Sequence, residues 1–151
     1  MAAAGTAGAS REMTETAESE NVALVRRYFD LLDGRVAGDI SELFAADAQL
    51  YIPTFGIIHG AGTFAELSSG VAQRAKVRHS THHVDEFNVI EHGDTIVVEG
   101  TSEGETVNGQ RWDGRKTIGG RFCNVFEVRH GRIARLHVYV DPDFCREDTA
   151  R

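Results

Sequence analysis

Three short glycine-bearing turns divide the second half of this chain: His92-Gly93-Asp94, Asn108-Gly109 and Arg129-His130-Gly131. Each lies between runs rich in β-branched and aromatic residues, a pattern that leaves few options besides antiparallel hairpins. The first turn predicts a hairpin within "HSTHHVDEFNVIEHGDTIVVEGTSEGET", and the third joins "KTIGGRFCNVFEV" to "RIARLHVYVD". A four-stranded antiparallel meander is therefore expected at the end of the chain. Gly119-Gly120 inside one of these runs predicts a bend or bulge.

The first half has a different period. From Asn21, Val22, Val25, Phe29 and Leu32 recur at helical spacing, with Leu24, Tyr28 and Leu31 on the adjoining edge. This predicts an amphipathic helix capped by Asn21 and ending near Gly34. A second, shorter helix is expected in "GDISELFAADA", capped by Asp39, with Ile40, Leu43 and Phe44 on one face. "AQLYIP" reads as a strand halted by Pro53, and 63–76 as a third helix carrying Phe64, Leu67, Val71 and Ala75. Helices first and strands last predict an α+β fold with the helices packed on one face of a curved sheet.

Bulk properties narrow the function. The chain of 151 residues suits one domain, expected over 21–144, between a small-residue polar tail at 1–20 and a short tail at 145–151. A formal charge of −7 with scattered Lys and Arg argues against a nucleic-acid partner. The sequence has neither a long apolar run nor a basic, then apolar, leader, so a cytoplasmic protein without a membrane partner is expected. Cys123 and Cys145 have no metal-ligand partners at suitable spacing and read as thiols in a reducing compartment.

"VRRYFDLL" on the first helix, "LFAADAQLYIP" entering the first strand, and "FEVRHGRIARLHVYVD" closing the sheet together resemble the nuclear-transport-factor-2-like superfamily. Within it the chain is most similar to the SnoaL-like group of polyketide cyclases and ketosteroid isomerases, over about residues 21–144. The resemblance implies a cone-shaped fold in which three helices and a mostly antiparallel sheet enclose an apolar pocket. It also implies a homodimer formed through the outer sheet face.

The same resemblance implies that Tyr28 is an oxyanion donor and that Asn124 takes the place of a second donor. The family's general base falls on Ile52, and the last-strand acid of its cyclases and epoxide hydrolases falls on Val138. Both usual bases are missing, and proton abstraction from carbon needs a positioned base. If Val138 faces inward, so do Ala134, Leu136 and Val140, while His137, Tyr139 and Asp141 face outward. A shift of one residue would reverse this and bring His137 and Tyr139 inside.

Among His79, His82 and His83, His82 is the member most easily placed on a pocket wall, and imidazole titrates near working pH. No metal is expected, because adjacent strand residues point apart. Glu99, Glu103 and Glu105 share one face and read as a solvated edge, with Glu99 the one that burial would suit to proton transfer. Asn124, between Phe122, Val125 and Phe126, must find hydrogen bonds if buried.

The candidate catalytic set is thus Tyr28, Asn124, His82 and His137. Tyr51, Ile52, Trp112, Phe122, Phe126, Val138 and Tyr139 are expected to contact a small apolar carbonyl compound, with no cofactor. Isomerase, cyclase or dehydratase chemistry is one reading. A non-catalytic binding or dimeric interaction module that has lost the family's acids is the other.

Overall fold

The computed structural model of the protein describes residues 17–53, 55–60 and 77–140. The expected third helix at 63–76, residues 1–16 of the expected leading tail and the expected tail at 145–151 lie outside the described residues. Helix α1 spans Glu20–Leu32 and buries Val22, Val25, Tyr28 and Phe29, the stripe that the periodicity predicts. Its cap is Ser19 rather than Asn21: the Ser19 Oγ accepts the Val22 N–H at 3.1 Å.

The second helix is reduced to a single tight turn. Asp39 caps it as expected, accepting the Ser41 N–H at 2.9 Å, but the turn spans only Ile40–Leu43. Phe44 already begins strand β1, Phe44–Ile52. The helical preference of "FAADA" is overridden because Ala48 and Leu50 become fully buried in a sheet, where β1 runs parallel to the final strand. Among the described residues there is therefore one α-helix where two were expected.

The remaining strands are β2 (Gly56–His59), β3 (Val77–His82), β4 (Asn88–His92), β5 (Thr95–Thr106), β6 (Arg111–Asp113), β7 (Arg121–Arg129) and β8 (Arg132–Val140). They form a curved, mixed sheet in the order β2-β1-β8-β7-β5-β3. Strand β5 is long enough to pair twice: its first half lies between β4 and β7, and its second half between β3 and β6. The three expected turns all form. In the last of them His130 and Gly131 take φ of 52° and 71°, the left-handed pair that a two-residue hairpin requires. Gly119 and Gly120 precede β7 instead of lying within it.

One irregularity sets which side chains of β8 face the core. Val128 pairs with Ile133 and Glu127 with Arg135, so Ala134 is an extra residue. The bulge turns both Ile133 and Leu136 toward α1, where each is fully buried, and removes Ala134 from the inward set expected for it. Phe29, Leu50, Ile96, Phe126, Ile133 and Leu136 form the centre of the core. Burying each contributes about 1.5–3 kcal/mol. No helix among the described residues is long and apolar enough to cross a membrane.

Trp112 packs away from this core. It is 4 % exposed, and its indole lies on the backbone of β5 at Gly104 while its Nε1–H donates to Ser102 Oγ at 3.2 Å. A Cβ at residue 104 would lie 2.2 Å from the indole and 2.4 Å from the His79 carbonyl oxygen, which is backbone and cannot swing aside. Gly104→Ala should lower stability by about 1–3 kcal/mol in urea denaturation. An unchanged midpoint would contradict this packing.

Candidate functional site

The site begins where α1 stops. Asp33 caps the C-terminus of the helix, a place where the helix dipole disfavours an anion. Its side chain is nevertheless only 1 % exposed, because three groups hold it. The His82 backbone N–H donates to Asp33 Oδ2 at 2.8 Å, His82 Nδ1 lies 2.7 Å from Oδ1, and the Arg35 guanidinium lies 2.7 Å from Oδ2. Arg35 also donates to the His82 carbonyl and to Thr81 Oγ1, so it clasps the end of β3 against the end of α1.

This arrangement fixes protonation. Burial alone would raise the Asp33 pKa, but the hydrogen bonds of His82, its charge when the ring is protonated, and the charge of Arg35 outweigh it and hold the carboxyl below its ordinary value. An ionised Asp33 can only accept, so the proton between them sits on His82 Nδ1 and the lone pair on Nε2. Among the described residues nothing bonds Nε2. The imidazole packs edge-on against Phe29 and Phe122, each at 5.0 Å between ring centres, and so lies at the margin of the core.

Tyr28 and Asn124 lie against the same aromatic wall. The Tyr28 ring packs against Phe29 and Phe126 at 5.1 and 5.3 Å. Burial, and then the nearby Asp33 charge, push its phenol well above the ordinary tyrosine range, so it stays protonated. Asn124 lies between Phe122 and Phe126 on the inner face of β7, opposite Val98 and Val138. It is 3 % exposed, and its Oδ1 is buried without a hydrogen-bond donor among the described residues.

The other expected site residues divide by face. Phe122 and Phe126 line the inner side, Val138 packs against that core, and Ile52 shares the inward face of Leu50 on β1. His137, Tyr139 and Tyr51 do not join them. They form an aromatic group on the outer face, with Tyr51 5.6 Å from His137 and 5.9 Å from Tyr139. There His137 bonds Gln49 and Arg135, and burial followed by the Arg135 charge keeps its pKa below the usual value. His137 is therefore separated by the sheet from Asn124, and the outward alternative for β8 is the one that forms. Trp112 lies apart on β6, for the reason given above.

Glu99 is exposed on the outer face and accepts from Asn88, so burial does not prepare it for proton transfer. Its cross-strand partner Cys123 is a free thiol on that face. His83, Glu103 and Asp113 bring ligand atoms within 4.8 Å of one another, a group that sequence spacing did not reveal. A cation is already there: Arg115 lies 2.9 Å from Glu103 and 2.9 Å from Asp113, and its hydrogen bond holds Asp113 well below the usual carboxylate range. His83 spends its ring nitrogens on Thr101 and Glu103.

Comparison with known proteins agrees with the fold. A family model for the SnoaL-like domain matches residues 25–136, and the chain belongs to that family. No curated protein matches the chain. An NTF2-like protein of unknown function from Burkholderia pseudomallei superposes with a TM-score of 0.69 at 21 % identity, over 83 % of this chain and 93 % of that one. A protein from Xanthomonas campestris proposed to be a polyketide cyclase gives 0.67 at 16 % identity, over 81 % and 90 %. TerC, co-crystallised with polyporic acid, gives 0.66 at 19 % identity, over 82 % and 92 %.

Asp33 itself was not singled out by sequence reasoning. The available signal was an acid at a helix C-terminus, the end that normally favours cations. Removing its carboxylate strands the His82 ring and backbone N–H while Arg35 keeps its ion pair with Asp30, and Asp33→Ala should cost about 1–3 kcal/mol at neutral pH. Since its folded pKa is depressed, Asp33 contributes fully above the unfolded carboxylate value of about 4. The contribution is lost as the pH falls below that through the folded value. Denaturation of the two proteins from neutral to acid pH should therefore show converging stabilities, and equal stabilities at pH 7 would contradict the assignment.

Proposed function

We propose that the protein is a cofactor-independent proton-transfer enzyme acting on a small apolar carbonyl compound, by isomerisation, cyclisation or dehydration. The observation that carries this reading is the 2.7 Å contact between His82 Nδ1 and the buried Asp33 carboxylate, beside Phe29 and Phe122. It supplies a base that the missing acids at Ile52 and Val138 do not. His82 Nε2 takes a proton from the carbon next to the carbonyl, and the electron pair moves to the oxygen. The Tyr28 hydroxyl donates to the enolate oxygen that forms, and Asp33 stabilises the imidazolium until the proton is returned. The proposed cyclase from Xanthomonas campestris supports this chemistry, and TerC with polyporic acid supports a small organic ligand. The exposed Tyr139 ring, packed beside the half-buried rings of Tyr51 and His137, supports a homodimer contact on the outer face.

A second reading rests on Ile52 and Val138, which place aliphatic side chains where relatives carry acids. In that case the same interior binds a ligand without turning it over.

Exchange of the α-hydrogens of 1-tetralone for deuterium, followed by mass spectrometry, separates the two. The wild type should accelerate exchange above buffer, and His82→Gln should lower the enzymatic rate by about 10²–10⁴-fold. Exchange at the buffer rate, with tetralone bound, would favour the binding module.

A further inference from the structure

The oxygen of Asn124 sets a requirement that a plain ketone does not meet. Its Oδ1 is buried in the middle of β7, and its cross-strand neighbours Val98 and Val138 have no side-chain donor. Phe122 and Phe126, the next residues on the same face, have none either. A buried amide oxygen without a donor is a costly feature, since native structures pair nearly all such atoms. Leucine, of similar shape, would carry no such cost. A ketone offers only an acceptor and leaves the oxygen as it is; a hydroxyl offers the missing proton.

We propose that Asn124 Oδ1 is a specificity determinant that accepts a hydrogen bond from a hydroxyl of the ligand, so that the compound class is hydroxylated apolar carbonyl compounds. This rests on the interior being the ligand site, as proposed above. The division of labour follows from the two polar groups on the aromatic wall. Tyr28, kept protonated, donates to the carbonyl oxygen, while Asn124 accepts from a hydroxyl elsewhere on the same skeleton. A phenol, an enol or an alcohol meets the requirement equally, and their methyl ethers do not.

Calorimetry with 1-tetralone, its 5-, 6- and 7-hydroxy derivatives and the matching methyl ethers tests the assignment. At least one hydroxy isomer should bind the wild type about tenfold or more tightly than its ether and than 1-tetralone. Asn124→Leu should abolish that difference, and in the absence of ligand it should melt no lower than the wild type, because it removes an unpaired polar atom. Hydroxy compounds binding no better than their ethers, while 1-tetralone still binds, would overturn the role of Asn124 and leave the site standing. Persistence of the preference in Asn124→Leu would also overturn it. If none of the compounds bound the wild type, the site itself would be wrong and the inference would fall with it.

Discussion

The contact on which the site depends is the carboxylate of Asp33, buried at the end of α1 between a histidine and an arginine. An anion at that end of a helix is unfavourable in isolation, and burial adds a desolvation cost. Both are offset by the backbone N–H and imidazole of His82 and by the Arg35 guanidinium. The result joins the only described α-helix to the edge strand β3, so the helix cannot shift along the sheet without breaking an ion pair. The same contact orients the imidazole and fixes its proton. One side chain thus carries the structural role and, in the proposed mechanism, the chemical one.

The sheet supplies the other half of the arrangement by sorting residues between two faces. Asn124, Phe122 and Phe126 point toward α1, whereas His137 and Tyr139 point away, and strand alternation leaves no intermediate position. The bulge at Ala134 keeps this sorting while letting Ile133 and Leu136 both enter the core. Among the described residues an aromatic interior with few polar groups results: the Tyr28 phenol, His82 at the margin, and a buried asparagine oxygen without a donor. The second titratable cluster, at His83, Glu103 and Asp113, is occupied by the Arg115 guanidinium and ties the β6–β7 loop to β5 and to the turn after β3.

Much of this was legible in the sequence. The stripe of Val22, Val25 and Phe29 gave α1 and the glycine turns gave the hairpins, whereas alternation left the face of His137 open and the candidate catalytic set took it inward, the side it does not face. "FAADA" misled because its residues favour helix locally, and only pairing with a strand some 85 positions later decides otherwise. The bulge was invisible for a similar reason: it depends on the register between β7 and β8, not on any residue type. Asp33 was not singled out. Its partners come from 49 positions along the chain and from Arg35, and a helix-end acid has no pattern until the strand arrives. Tyr51 was assigned to the cone together with its neighbour Ile52, which alternation does not allow, and its register beside His137 puts it outside.

The most direct test of the account is the tautomer of His82, read by long-range ¹H–¹⁵N NMR at about pH 8, where an ordinary imidazole is neutral. The account predicts a proton on Nδ1, shielded from solvent exchange by Asp33, with Nε2 unprotonated. A proton on Nε2, or a ring exchanging freely between tautomers, would mean that Asp33 does not hold the imidazole and that the proposed base is absent.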